Sequence, residues 1–302
     1  MSAVARLFAL EAFGIKLGLD AMRALLAALG DPHARWPSVH VAGTNGKGSV
    51  TAMVDTALRA SGLRVGRYTS PHLDRVEERV VVDGQPIQTA DFEAALHEVF
   101  AAADRLVADG ALPAMATFFE VSTAAAFVAF ARAGIDIGAI EVGLGGRFDA
   151  TNVLTPEAGA ITTIAFDHER HLGSTLTAIA AEKAGIAKRG VPLVVGNVPP
   201  EAWASIEAGA AAGGALLVRA SDGVTVDVTD DGGQAVVSIG TPSAVYGPVR
   251  LGLAGRHQVD NAVVAVRLLE VLRERRPQLP ITTASIAAGL RDVRWPGRIE
   301  WL

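Results

Sequence analysis

The stretch His40–Ser49, HVAGTNGKGS, decides which fold the sequence predicts. It follows the apolar run Val39–Ala42, which predicts a strand, and precedes Ser49–Ser61, whose spacing predicts a helix. Glycines between a strand and a helix let backbone N–H groups curl round phosphate oxygens, and the helix N-terminus adds partial positive charge. Lys47 can neutralise the β- and γ-phosphates, and the Ser49 hydroxyl can face a magnesium ion. The stretch therefore predicts an ATP-binding phosphate loop.

The spacing of this loop differs from the general phosphate-loop pattern G-x-x-x-x-G-K-[ST]. Val41 stands where the first glycine belongs, and Gly48 intervenes between Lys47 and Ser49. The alternative is a glycine-rich turn in which Lys47 is only solvated. The strand before the loop and the helix after it favour phosphate binding.

Short β-rich runs alternate with alanine-rich helical runs, the pattern of a doubly wound α/β sheet with mostly parallel strands. The predicted strands are 39–42, 65–69, 135–142, 158–165 and 192–195, with a hairpin at 78–87 that turns at Asp83-Gly84. The predicted helices are 49–61, 91–108, 117–133, 176–188, 257–274 and 283–290. Between about 215 and 255, alternating Val, Thr and Asp residues predict a small antiparallel element at the edge of the sheet.

The composition is that of an ordinary soluble enzyme. Half of the 302 residues are hydrophobic, 20% are charged, and the net charge is −5 without a long basic run, so nucleic acid is not an expected partner. The absence of cysteine excludes disulfides, Cys-zinc sites and a thiol nucleophile. The N-terminus carries Arg6 and Glu11, unlike a signal peptide, and the apolar helix 121–131 is too short to span a bilayer. We expect a cytoplasmic, monomeric protein without a membrane partner.

Two polar residues follow predicted strands whose carboxyl ends should meet at one crevice. Glu141 ends a buried-looking strand before a GLGG segment, and His168 follows the next apolar run. Ligands of open α/β sheets lie beyond the carboxyl ends of the strands, and a carboxylate there can hold Mg²⁺. Pairing of Glu141 with Arg147, or of His168 with Asp167, is the alternative in each case.

Two further residues are ambiguous on spacing alone. Lys183 lies on the predicted helix 176–188, where a lysine is usually solvated surface. Ser70 follows the predicted strand 65–69, so its oxygen could reach a cation. The pattern by itself assigns neither residue a role.

Eight segments in one order resemble the folylpolyglutamate synthase and dihydrofolate synthase family, a branch of the ATP-dependent Mur-type ligases. They span essentially the whole chain and are FGIKLGL (13–19), GTNGKGS (43–49), YTSPHL (68–73), TFFE (117–120), EVGLGGRFDATN (141–152), DHERHLG (167–173), EKAGI (182–186) and WPGR (295–298). The resemblance implies the fold of the Mur ligase central domain. It also implies that Gly48 before Ser49 belongs to the phosphate loop of these ligases.

The resemblance implies roles for the matching residues, which we state as expectations. Lys47, Lys183 and His168 would be catalytic, with Lys183 carried as a carbamate that turns a cation into a metal-directed anion. ATP would contact Thr44, Asn45, Gly46, Lys47, Gly48, Ser49, Asn261 and Arg298. Magnesium ions, two in number, would be held by Ser70, Glu141 and His168. The pteroate moiety would lie against Leu17, Gly18, Leu19, Thr117, Phe118, Phe119, Glu120, Phe148, Asp149 and Ala150, although Phe118 and Phe119 could equally be core aromatics.

The reaction that the resemblance implies is the ATP-dependent joining of L-glutamate to dihydropteroate, to tetrahydrofolate or to both. ATP would phosphorylate a substrate carboxylate to give an acyl phosphate, and the amine of glutamate would then displace phosphate. Phosphorylation is needed because a carboxylate oxygen is a poor leaving group. The alternatives are a P-loop ATPase or small-molecule kinase, and a nonenzymatic ATP- or folate-binding remnant.

The resemblance also predicts the domain boundaries. Residues 1–298 would form the ATP- and pteroate-binding central domain, and 299–302 would begin a C-terminal glutamate-ligase domain. The segment that opens this domain in the family, Asp-(Gly/Val)-Ala-His-Asn-Pro, does not occur in the sequence. We therefore expect either a fragment or a protein that has lost that half.

Overall fold

A computed structural model describes residues 2–14, 16, 18–231 and 234–297 of the chain. Its centre is an eight-stranded sheet. The strands are β1 (Ser38–Ala42), β2 (Val65–Tyr68), β3 (Val80–Val82), β4 (Gln85–Pro86), β5 (Ile137–Glu141), β6 (Ala158–Ile161), β7 (Pro192–Val195) and β8 (Leu216–Arg219). Strands β1 and β5 are buried along their whole length, as expected for parallel strands covered on both faces.

The strand order β4-β3-β2-β5-β1-β6-β7-β8 places β1 in the middle of the sheet. Strand β1 pairs in parallel with β5 and β6, so that Val41 lies opposite Glu141 on one side and Ala160 on the other. The chain leaves β1 for β2 on one side and later crosses from β5 to β6 on the other. Such a reversal opens a crevice at the carboxyl ends of the central strands. The expected doubly wound, mostly parallel fold is confirmed, with only β3 and β4 antiparallel.

Helices cover both faces of this sheet. They are α1 (Ala3–Ala9), α2 (Asp20–Ala28), α3 (Lys47–Ala60), α4 (Thr89–Ala108), α5 (Phe118–Ala133), α6 (Glu169–Leu172), α7 (Leu176–Ala184), α8 (Pro200–Gly213), α9 (His257–Arg275) and α10 (Thr283–Asp292). Helices α3, α9 and α10 share one hydrophobic cluster with Ile137 and Ala139, whereas α1, α2, α4 and α5 share another with Ile140. Because side chains alternate along a strand, the two clusters lie on opposite faces.

The antiparallel element is a separate sheet and not an edge of the main one, which corrects the expectation. It consists of β9 (Thr225–Asp231), β10 (Gln234–Gly240) and β11 (Val245–Arg250) in the order β11-β10-β9. It begins at Thr225 and not near 215, because Leu216–Arg219 forms β8 and pairs in parallel with β7. Helix α8 supplies the crossover connection that a parallel strand needs. The residue alternation in β8 did not indicate that this strand pairs in parallel with β7.

Two predicted boundaries are also corrected by tertiary contacts. Strand β6 ends at Ile161 and not at Ala165, because the backbone after it turns to bond the phosphate loop. Helix α7 ends at Ala184 and not at Lys188, because the carbonyl of Gly185 accepts a hydrogen bond from Nδ2 of Asn152 (3.0 Å). The predicted hairpin at Asp83-Gly84 is confirmed.

None of the helices in the described ranges combines the length and apolar character of a bilayer-spanning segment.

Candidate active site

The expected phosphate loop lies at the carboxyl end of β1, in the crevice between β5 and β6. Helix α3 begins at Lys47, so the loop runs directly into a helix N-terminus whose N–H groups have no intrahelical partner. Gly43 has a φ of 146°, and a Cβ built on it would lie 1.9 Å from Oγ1 of Thr162. Only glycine fits there. Strand, loop and helix are arranged as anion binding requires.

The segment after β6 holds this loop in place through both backbone and side chains. The N–H of Thr44 donates to the carbonyl of Thr163 (2.8 Å), and Oγ1 of Thr44 donates to the carbonyl of Ala165 (3.1 Å). Oγ1 of Thr162 donates to the carbonyl of Asn45 (2.6 Å). Thr162 and Thr163 were not predicted as loop contacts, although two adjacent hydroxyls near the end of the predicted strand 158–165 could have suggested the contact. Thr44 and Asn45 thus have a structural task besides their expected contact with ATP.

Two lysines from distant parts of the chain meet at this loop. Nζ of Lys47 donates to the carbonyls of Gly43 and Thr44 (both 3.1 Å), and Nζ of Lys183 donates to the same Gly43 carbonyl (2.9 Å). Lys183 is buried, so the alternative of a solvated surface lysine is wrong. Burial, followed by the charge of Lys47, lowers the pKa of Lys183 to about 8, and the charges of Asp167 and Asp149 oppose that shift. A substantial fraction of neutral amine follows near pH 8.

A buried carboxylate lies at the end of the strand next to β1. Glu141 is 4% exposed, and its Oε2 accepts a hydrogen bond from the backbone N–H of Ser70 (3.2 Å). The structure therefore brings together two of the three expected magnesium ligands. Arg147, the alternative partner of Glu141, places its Nε 3.8 Å from Oε1 of Glu182.

His168 does not end a strand, which corrects its expected position. It lies beyond β6, at the start of the short helix α6, with a φ of 44°. Its side chain is half-exposed, and Nε2 lies 3.5 Å from Oδ1 of Asp167. Within the described ranges, no three acidic or histidine side chains are close enough to form a metal site by themselves. The ligand role of His168 stays a prediction.

The N-terminal turn of α9 covers the first turn of α3. Asn261 lies so close that a Cβ built on Gly46 would be 2.2 Å from its Oδ1. Nδ2 of Asn261 donates to Oε1 of Gln258 (2.9 Å), and Nε2 of Gln258 donates to Oγ of Ser49 (3.3 Å). Gln258 was not predicted as a site residue, although it lies three residues before Asn261 on the same helix. The other expected ATP contact, Arg298, lies outside the described residues.

Helix α5 begins with the residues expected to contact pteroate. Oε2 of Glu120 accepts hydrogen bonds from the N–H (2.7 Å) and Oγ1 (2.8 Å) of Thr117, so both residues form the capping box of α5. The ring centres of Phe119 and Tyr68 lie 6.2 Å apart, and those of Phe118 and Phe8 lie 5.7 Å apart. These contacts favour the core interpretation of both rings, which are half-buried.

The loop Phe148–Ala150 has one exposed residue and two buried ones. Phe148 is 41% exposed, whereas Asp149 and Ala150 are buried. Asp149 accepts hydrogen bonds from the N–H groups of Leu144 (2.8 Å) and Thr151 (3.0 Å) and from Oγ1 of Thr151. Burial raises the pKa of Asp149 in spite of these bonds. Its carboxylate is thus used to shape the loop, which leaves Phe148 as the side chain directed outward.

The remaining expected pteroate contacts precede α2. Gly18 is partly buried with a φ of 140°, and Leu19 is buried. Leu17, the third member, lies outside the described residues.

Comparison with known proteins finds a matching family profile and several relatives. The profile of the Mur ligase middle domain matches residues 41–269. The chain is 42% identical to the probable bifunctional folylpolyglutamate synthase/dihydropteroate synthase of Haloferax volcanii, over 99% of the chain and 35% of the relative. It is 37% identical to the dihydrofolate synthase/folylpolyglutamate synthase of Bacillus subtilis, over 95% of the chain and 67% of the relative.

A solved structure gives the same result in three dimensions. The structure of E. coli FolC in complex with DHPP and ADP superposes with a TM-score of 0.86 at 32% identity, over 99% of this chain and 68% of that chain. The chain thus spans about a third of the Haloferax volcanii relative and about two thirds of the other two proteins.

Proposed function

We propose that this chain binds ATP and a folate-type substrate, because it belongs to the family of folylpolyglutamate and dihydrofolate synthases with a Mur ligase middle domain. The reaction would join L-glutamate to dihydropteroate, to tetrahydrofolate or to both. The chain would supply the phosphate loop, the metal ligands and the pteroate contacts of this ligase.

The observation that carries the proposal is the convergence of Lys47 and Lys183 on the Gly43 carbonyl. Two ammonium groups near the N-terminus of α3 create a positively charged site at the carboxyl ends of the sheet strands. Glu141 brings a buried negative charge to the neighbouring strand end. This arrangement of charges suits the binding of a polyphosphate, a metal ion and a substrate carboxylate side by side.

The residues present suit magnesium. The carboxylate of Glu141 and the hydroxyl of Ser70 are hard oxygen donors of the kind that Mg²⁺ prefers, and His168 would be the third ligand. Since three acidic or histidine side chains do not cluster in the described residues, the phosphates of ATP would have to complete the coordination. Bound Mg²⁺ would neutralise phosphate charge.

Lys183 suits the expected carbamate. An amine adds to carbon dioxide only in its neutral form, and the pKa of Lys183, lowered to about 8 by burial and by Lys47, favours that form. Carbamylation would replace a buried cation beside Lys47 with an anion. That change would remove a repulsion and create an ion pair.

In the proposed reaction the chain's own residues position charges and supply no nucleophile. Lys47 would leave the carbonyls of Gly43 and Thr44 to bind the β- and γ-phosphates. The substrate carboxylate would attack the γ-phosphorus, ADP would leave, and the amine of glutamate would then displace phosphate from the acyl phosphate. The exposed Phe148 would contact the pteroate ring.

We also propose that the protein is a cytoplasmic monomer, because its substrates would be ATP and folate intermediates made inside the cell. Size-exclusion chromatography with light scattering tests the oligomeric state.

The test is an assay of ADP release and of amide product, with Mg²⁺-ATP, dihydropteroate or tetrahydrofolate, and with or without L-glutamate. Product is identified by mass spectrometry, and ATP binding is measured by calorimetry. We expect saturable ATP binding and ADP release that depends on the folate substrate. Lys47→Ala is the matched variant and should lose both.

Three outcomes separate the proposal from its alternatives. Amide product supports the ligase. ADP release that needs neither folate nor glutamate, with no amide product, identifies a P-loop ATPase and contradicts the proposal. ATP binding without any turnover in this chain identifies a binding protein.

A further inference from the structure

The segment Val293–Gly297, which follows α10, lies against two loops of the candidate site. A Cβ built on Gly48 would lie 2.7 Å from Cζ2 and 3.0 Å from Cε2 of Trp295, so the indole packs directly against the first turn of α3. A Cβ built on Gly297 would lie 2.9 Å from Cδ1 of Leu73, three residues beyond Ser70. One short segment thus touches both the phosphate loop and the loop that carries an expected metal ligand.

The indole also lies against a largely buried cation. Cζ of Arg67 lies 5.0 Å from the centre of the Trp295 ring, within the range of a cation–π interaction. Nη1 of Arg67 donates to Oδ2 of Asp55 (3.1 Å), a fully buried carboxylate on α3. Burial lowers the pKa of Arg67, and the charges of Asp55 and Glu141 oppose that shift. Arg67 therefore lies in the electrostatic field of Glu141 while it is stacked on Trp295.

Gly48 has no side chain with which to hold the first turn of α3. Its N–H belongs to the helix N-terminal groups that a phosphate would contact, and the contact with the indole takes the place of a side chain. Removing the ring would leave a void beside this turn and would free the guanidinium of Arg67 from one face.

We propose that Trp295 is a positioning residue of the nucleotide site. Its indole contacts both Gly48 and Arg67, and so fixes the position of the phosphate loop relative to the strand end that carries Glu141. This inference rests on the proposed function, because it supposes that the loop takes the phosphates of ATP. Trp295 itself touches no reacting atom.

The first test compares truncations of two tryptophans by calorimetry with Mg²⁺-ATP. Trp295→Ala should weaken ATP binding by about tenfold or more, and Trp295→Phe, which keeps a ring, by no more than about threefold. Trp203→Ala is the matched control: Trp203 lies on α8, its ring centre is 4.0 Å from Cζ of Arg219, and its loss should leave ATP affinity unchanged. Dihydropteroate affinity should stay the same in all three variants, which a general loss of structure would not allow.

The second test uses suppression. Gly48→Ala places a methyl group 2.7 Å from Cζ2 of the indole, a steric clash, and should weaken ATP binding in the wild-type background. In the Trp295→Ala background the same methyl group enters free space, so the double variant should bind ATP at least as tightly as Trp295→Ala alone. Trp295→Leu, which keeps apolar bulk, replaces Trp295→Ala in both tests if the alanine variant does not fold.

The results that overturn the inference are distinct from those that overturn the proposed function. Wild-type ATP affinity in Trp295→Ala, or losses that multiply in the double variant, overturn the positioning role alone. A wild-type protein that binds no Mg²⁺-ATP overturns the proposed function and this inference together.

Discussion

A single carbonyl oxygen, that of Gly43, accepts hydrogen bonds from two ammonium groups. Lys47 donates to it from the start of α3, and Lys183 donates to it from α7, 140 residues away from Gly43 in the sequence. Lysine is rarely buried unless it is paired, because its charge is costly to desolvate. Burial therefore lowers the pKa of Lys183 to about 8, so its neutral form is reached at a lower pH in the folded protein than in the unfolded chain.

The lowered pKa of Lys183 makes stability depend on pH. Between about pH 8 and pH 10.5 the unfolded chain keeps a proton on Lys183 that the folded protein has lost, so the free energy of unfolding should rise with pH across this window. Urea denaturation of the wild type and of Lys183→Met at both ends of the window measures the effect. We expect the variant to lack most of the rise.

The exposed Lys16 provides the control for this prediction. Lys16→Met should show the same pH dependence of unfolding as the wild type. An identical slope in the wild type and Lys183→Met would mean that Lys183 titrates alike in both states, and it would remove the support for a neutral amine.

At the scale of elements, the capping box of α5 serves the fold and lies among the expected ligand contacts. Thr117 caps the helix and binds Glu120, which is 6% exposed. Oγ1 of Thr117 accepts a hydrogen bond from the N–H of Glu120 (3.3 Å) and donates one to its Oε2 (2.8 Å). Thr117→Ala removes both bonds and should lower the free energy of unfolding by about 1 kcal/mol. Chemical denaturation followed by circular dichroism measures the loss.

Thr117→Ser keeps the hydroxyl and is the matched control for this cap. It should unfold close to the wild type. If Thr117→Ala instead weakens dihydropteroate binding while stability is unchanged, the hydroxyl serves the ligand and the capping interpretation is wrong.

At the scale of the whole molecule, the small antiparallel sheet is joined to α9 by a buried carboxylate. Oε1 of Glu270 accepts hydrogen bonds from Oγ1 of Thr241 (2.5 Å) and from the hydroxyl of Tyr246 (2.9 Å), and Oε2 accepts one from Nη1 of Arg267 (2.6 Å). Burial and the bond to Glu270 raise the pKa of Tyr246 to about 12. Glu270 thus adds a polar connection to the hydrophobic packing between the small sheet and α9, the helix whose first turn covers the phosphate loop.

Glu270→Ala leaves Arg267 without its counter-charge and two hydroxyls without their acceptor. The free energy of unfolding should fall by about 3 kcal/mol or more, since breaking a buried pair exposes the full desolvation cost of its partner. The substitution should also raise the rate of backbone hydrogen exchange in β9, β10 and β11 more than it raises the rate in β1.

An exposed ion pair supplies the comparison for Glu270. Glu207→Ala breaks the surface pair with Arg219 and should cost less than about 1 kcal/mol. Equal losses of the free energy of unfolding in the two variants would contradict the role given to the buried Glu270.

Much of the fold follows from local patterns along the chain. The glycines and lysine of residues 43–48 predict a phosphate loop because backbone conformation and helix polarity are set within a few residues. Strands β1 and β7 and the hairpin at Asp83-Gly84 were predicted close to their bounds for the same reason. The parallel sheet follows from the alternation of strands and helices.

The tertiary structure alone decided which side chains meet. Lys183 is an ordinary helical lysine by spacing, and only the crossover from β6 through α7 brings it to Gly43. The pairing of Ser70 with Glu141 depends on β2 lying beside β5, and the contact of Trp295 with Gly48 depends on the path of the chain after α10. Local sequence determines local backbone, whereas these contacts join residues far apart in the chain and arise only when the sheet and its helices pack together.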